Sequence, residues 1–173
     1  MGKRNKIVFL LIATLIMLLL ACPVYIDLSS NNDSIKSKEF KANQTTIQEL
    51  IGEDLTDSIS IYVILSYEDL ISTQQIIPNH KILYSSDKDL INKFLKITFI
   101  CKGGDMTTLG SKLIICQDRQ KVYESQISLN NGIEGLQNDI TGWIEPTDKV
   151  LFTNLLSKLD IYWFPLLIVN TKK

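Results

Sequence analysis

One stretch of this chain has no place on a water-exposed surface: Ile7 to Ala21, 15 residues, all apolar except Thr14. Lys3, Arg4 and Lys6 stand just before it. A basic start and then an apolar core of this length direct a chain to a membrane. The charges stay on the cytoplasmic side, and the residues after the core are delivered to the other. The rest of the chain is therefore expected to fold on the extracytoplasmic side, attached to a membrane. As an α-helix the run would rise about 22 Å, against a hydrocarbon core of about 30 Å. That is short for a span and long for a secretory core, so the sequence leaves two readings open.

In the first, the segment is cut. Leu19-Leu20-Ala21-Cys22 resembles the lipobox of bacterial lipoproteins, with a small residue before the cysteine and an aliphatic one three before it. The resemblance covers the first 22 residues only. It implies that Cys22 is the lipid-bearing first residue of the mature protein. In the second, the apolar run continues through Pro23, Val24, Tyr25 and Ile26 and stops at Asp27. That length spans a bilayer uncut, with Tyr25 at the interface. Either way the organisation is a signal or anchor segment over 1–22, a polar tether over 23–43 and one domain over 44–173. Ser29 to Asn43 is polar and aperiodic, as a tether is.

The domain segment, about 130 residues, is the size of one ordinary unit with its own core. Lys and Arg total 18 and Asp and Glu 19, a net charge of −1. No basic field exists to attract nucleic acid, so that partner is not expected. Thr46 and Glu49 have capping-box spacing before a short helix that Gly52 would stop. Ser58 to Ser66 alternates, with Ile59, Ile61, Val63 and Leu65 expected to face the core. Residues 66–78 fit no pattern, and a short strand is expected over 81–84. Ser86 is expected to cap a helix bearing Leu90, Ile91, Phe94 and Leu95 on one face. A strand is expected over 96–101. Ser111 to Leu129 reads as a hairpin turning at Asp118-Arg119-Gln120. Thr147 is expected to cap a last helix with Leu151, Leu155, Leu156 and Leu159 as its stripe. The tail Ile161 to Val169 reads as a core-packed strand, which Pro165 confines to an edge or splits. Strands in runs with about three helices between them give an α+β layer. Its sheet is antiparallel or mixed, with the helices mainly on one face.

The chemistry-bearing residues are sparse. His80 is the only histidine, and it reads as a surface loop residue beside Pro78-Asn79. A zinc site needs several His or Cys ligands at close spacing, which this chain lacks, so no metal or other cofactor is expected. Gly103 to Lys112 places its glycines and lysine in the wrong order for a phosphate loop. Carboxylates occur as Glu53-Asp54 and Glu68-Asp69, and singly at Asp105, Glu134, Asp139 and Glu145. No two are singled out as a catalytic pair. Cys101 and Cys116 fall on strands expected to be neighbours. A disulfide is open to them in an oxidising envelope, against two buried thiols. Gly132 to Pro146 lacks a period and reads as an ordered loop. Glu134, Leu136, Trp143 and Glu145 are its candidate interaction residues, against the plainer reading that Trp143 and Leu136 plug the sheet.

These features point to a membrane-tethered domain that binds a protein and carries out no catalysis, an immunity or inhibitor protein being the most concrete form. A structural envelope lipoprotein is the alternative, and an envelope hydrolase acting through carboxylates ranks below both.

Overall fold

The strand that alternates most cleanly in the sequence organises the sheet. The computed structural model describes residues 3–21, 23–28, 43–52, 55, 58–73, 75–104, 110–130 and 132–171. In chain order the helices are α1 (Lys3–Ala21), α2 (Ile47–Ile51), α3 (Tyr67–Ser72), α4 (Lys88–Leu95) and α5 (Lys149–Leu156). The first six strands are β1 (Val24–Asp27), β2 (Gln44–Thr46), β3 (Ile59–Ile64), β4 (Ile82–Ser85), β5 (Thr98–Cys101) and β6 (Ser111–Gln117). The other five are β7 (Gln120–Asn130), β8 (Ile133–Asn138), β9 (Gly142–Pro146), β10 (Asp160–Ile161) and β11 (Leu166–Thr171).

The fold is α+β. Nine strands lie side by side in the order β10-β4-β3-β6-β7-β8-β9-β5-β2, every pair antiparallel. β11 joins β7 in parallel at Asn170 and Thr171, and β1 pairs with β11, also in parallel. The sheet is therefore mixed, though antiparallel in its body.

Period-2 alternation sends the two faces of β3 to different places. Ile61 and Val63 enter the larger core with Leu113 and Ile115 of β6. That core is closed by α2, α4 and α5, which contribute Ile47, Leu90, Ile91, Phe94, Leu95, Phe152, Leu155 and Leu156. Phe152 meets Phe94 at a tilt and Phe99 edge-on, with ring centroids 5.7 and 5.9 Å apart. The opposite face presents Ile64, Ile82, Ile114 and Cys116. Among the described residues, Leu167 and Val169 of β11 cover it, with Tyr25, Tyr62 and Tyr162 packed against them. One side of the sheet is roofed by helices, the other by a two-stranded ribbon.

The local signals explain most element ends. The capping box at Thr46 and Glu49 forms in both directions, and Gly52 closes α2 in the left-handed region at φ 68°. The β6–β7 hairpin turns on Asp118 and Arg119, both at positive φ (51° and 66°), as a tight two-residue turn requires. Two caps fall one residue later than expected. Asp87, not Ser86, caps α4, and Asp148, not Thr147, caps α5. A carboxylate also suits the positive end of the helix dipole. In α5 the inward stripe is Phe152, Leu155 and Leu156, while Leu151 is exposed. Among the described residues the helices number five, against about three expected, because α1 and the short α3 add to the domain's set.

The N-terminal organisation differs from the sequence reading. The helix ends at Ala21, and Val24, Tyr25 and Ile26 are strand, so the apolar run does not continue as one helix to Asp27. Nor are residues 24–27 tether: they are built into the domain through β11. The rest of the expected tether, up to residue 42, and Cys22 lie outside the described residues. Among the described residues no helix is long and apolar enough to cross a membrane.

Candidate functional site: an aromatic groove beneath the ribbon

Tyrosines from β3, from β4 and from just past β10 come to one place on the ribbon side of the sheet. Tyr62 and Tyr84 are direct partners across β3 and β4, with rings 5.1 Å apart. Tyr162, just past β10, lies edge-on to both at 5.8 and 6.0 Å. Its backbone N–H donates to the Ile82 carbonyl, which carries the β10–β4 pairing one residue further. Phe164 continues the cluster 5.5 Å from Tyr162. Tilted and edge-to-face contacts at these distances favour aromatic pairs.

Between these rings and the ribbon runs an open groove of about 660 Å³. Tyr62, Tyr84, Tyr162, Trp163 and Phe164 line it, Cys116 lies among the lining residues, and Arg119 and Asp160 supply its charges. Burial raises the Tyr62 phenol above its usual value, and burial with the neighbouring Tyr84 raises that of Tyr162. Both are neutral hydrogen-bonding groups at physiological pH. Burial also pushes the Cys116 thiol up to about 11, Lys121 offsetting this in part. A thiol held protonated is a poor nucleophile. The groove offers apolar faces with polar tips, which suits recognition.

The ribbon that walls the groove is staked down by charge. Lys121 donates to Asp27 of β1 at 2.6 Å and also pairs with Glu124, which Lys112 holds from its other side at 2.6 Å. The Tyr25 hydroxyl donates to Asp27 at 3.2 Å, and the Lys112 ammonium lies 5.9 Å from the Tyr25 ring centre. Burial would raise the Glu124 carboxyl, but its two lysines outweigh this and hold it low. Burial would lower the Lys121 ammonium, but Asp27 and Glu124 outweigh it and hold it high.

His80 is buried, not on a surface loop. Its Nδ1 lies 3.1 Å from the Ile82 carbonyl oxygen and 3.4 Å from the Ile82 backbone nitrogen, and its Nε2 lies 3.2 Å from the Leu20 carbonyl in the last turn of α1. The ring thus bridges the Ile82 backbone and the last turn of α1. It lies tilted against Trp163, with ring centroids 5.6 Å apart. His80 is thus the joint between α1 and the domain, at the lip of the groove.

The residues singled out from the sequence mostly serve the scaffold. Glu134, Leu136, Trp143 and Glu145 do not form a loop. They sit on β8 and β9, a hairpin inside the sheet. Leu136 enters the helix-side core, and Glu134, on that same side, pairs with Lys149 of α5 at 3.1 Å. Trp143 points to the opposite side, where its ring covers Gly135 and its indole N–H donates to Glu145 at 3.0 Å. A Cβ at Gly135 would come within 2.6 Å of that ring, so glycine is what lets the tryptophan lie flat. The four residues are therefore divided between two faces and do not converge.

Cys101 and Cys116 are both free. Their strands are not neighbours, since β5 lies between β9 and β2 while β6 lies between β3 and β7. Cys101 packs against the helix-side core and Cys116 against the ribbon side, so no register would bring them together. Asp69 accepts from the buried Ser111 hydroxyl, which in turn accepts from the Ser66 N–H at 2.8 Å, tying α3 to β6. Glu68 and Asp139 are exposed, and Glu53, Asp54 and Asp105 lie outside the described residues. Among the described residues no group of three or more His, Cys, Asp or Glu is placed to hold a metal ion. The chain matches no known protein-family model, no curated protein and no solved structure.

Proposed function

We propose that this chain is a membrane-tethered domain of the extracytoplasmic side that works by binding a protein, with no chemistry of its own. An immunity- or inhibitor-type role toward an envelope toxin or hydrolase is its most concrete form. The observation that carries the reading is the groove itself, where Tyr62, Tyr84 and Tyr162 converge from separate parts of the chain and Arg119 joins them in the lining. Tyrosine, tryptophan and arginine are the residues that most often anchor protein interfaces. The groove begins where α1 meets the domain, at His80 and Trp163, so a partner held there would be met at the membrane surface. The carboxylates available for chemistry fit a scaffold better: Glu124 and Glu134 are held by lysines, and Asp87 and Asp148 cap helices.

Photo-crosslinking in intact envelopes tests this. A photoreactive residue at Tyr84 in the groove should give one discrete protein adduct. The same residue at Val150, exposed on α5, should give none. Lipid adducts alone at Tyr84, or identical adducts at both positions, would overturn the proposal.

A further inference from the structure

The ribbon has a second surface, turned away from the sheet. Parallel register sets Val24 beside Leu166 and Ile26 beside Ile168. Their neighbours Tyr25 and Leu167 point inward, so these four point outward, with exposures of 42%, 41%, 39% and 49%. Trp163 and Phe164, at 64% and 67%, extend the same end of the domain. A strand pair lying on a core normally alternates apolar-in and polar-out. Here all four outward residues are aliphatic, and Asp27, the charged residue of β1, pairs with Lys121. Among the described residues β1 pairs with β11 alone, and a largely apolar strand edge is a liability in water.

We infer that this outer surface, with Trp163 and Phe164, rests in the lipid interface and seats the domain directly on the membrane that holds its N-terminus. The inference rests on the tethered reading of the chain. Lipid is the occupant because of where the chain's own apolar segment ends. α1 runs into the ribbon with only Cys22 and Pro23 between, and its last turn touches His80 beside Trp163. The apolar part of α1 rises about 22 Å, roughly 8 Å less than a hydrocarbon core. A ribbon separated from the end of that segment by two residues lies at the membrane surface. Tryptophan at the lip then lies where aromatic rings gather in membranes. The same holds if the chain is cut before Cys22, since the ribbon then begins two residues after the lipid-bearing cysteine.

The chain has two tryptophans, and Trp143 is buried. Full-length W143F in phosphatidylcholine vesicles therefore reports on Trp163 alone. If that variant folds poorly, the difference between the unsubstituted chain and W163F gives the same signal. Lipids brominated near the headgroup end of the acyl chains should quench Trp163, and aqueous iodide should not. I168E should reverse this, restoring iodide access and losing bromolipid quenching while the protein still floats with the vesicles. Iodide quenching of a floating protein would overturn the docking and leave the tether intact. Protection from both quenchers would also overturn it, since protein would then cover the surface. Failure to float would overturn the tether, and the docking with it.

Discussion

The two faces of one sheet are finished in opposite ways. The helix side holds the larger core, closed by three helices whose inward side chains are almost wholly buried. The ribbon side has two aliphatic side chains for a roof, an ion network to hold them and an aromatic groove left open beside them. Burying apolar area is what holds a domain together, at roughly 25 cal/mol per Å². The helix side supplies most of that. The ribbon side can then expose rings and edges that a core would have consumed, which makes it the candidate interaction surface.

The largest effect should come from the helix side. Phe152 touches two other rings and is fully buried. F152A should cost about 3 to 5 kcal/mol, measured by denaturant unfolding, as large-to-small changes in a packed core do. A loss below about 1 kcal/mol would mean that this face is not the main core.

A smaller effect is expected from the ion network. Glu124 is held low, so its contribution is complete above the ordinary glutamate value. It fades as the pH falls through the lowered folded value. Lys121 is held high, so its contribution is complete below the ordinary lysine value and is lost as the pH rises through the raised one. E124Q should cost about 1 to 2 kcal/mol at neutral pH and flatten the acid limb of the stability profile. The loss should appear as faster exchange in β1 and β11, with β3 unchanged. An acid limb unaltered by E124Q would place the acid sensitivity elsewhere.

The smallest effect is at the β6–β7 turn, which sits outside both cores. Arg119 occupies the left-handed region at φ 66°. R119G should relieve that strain and stabilise by up to about 1 kcal/mol, seen as a modest rise in Tm. A fall in Tm would show that Arg119 stabilises the domain through contacts in the groove.

The helix side is largely legible in the sequence, because its signals are local. Thr46 and Glu49 announce α2, Leu90 to Leu95 announce α4, and the alternation from Ile59 to Leu65 announces β3 with its inward face. The hairpin turn is legible for the same reason. The ribbon side is not. Its defining contact pairs residue 24 with residue 166, a separation no periodicity spans. Val24 to Ile26 come so soon after an apolar helix that they read as its continuation. The core-strand reading of the tail holds for one face only: Leu167 and Val169 are buried, while Leu166 and Ile168 are not. The β8–β9 hairpin is hidden because Gly135 replaces a side chain that would have marked its period, and Trp143 covers the space. The groove leaves one faint trace. Tyr62 falls on the side of β3 opposite the core residues, but its companions Tyr84 and Tyr162 are remote in the chain.

Amide hydrogen exchange on the full-length protein in vesicles measures the difference between the faces most directly. Residues 24–27 and 166–171 should open at a clearly lower free energy than β3 and β6, and lipid should slow the ribbon alone. Uniform protection across ribbon and sheet, unchanged between detergent and vesicles, would mean that the ribbon belongs to the core and that the two faces do not divide the work.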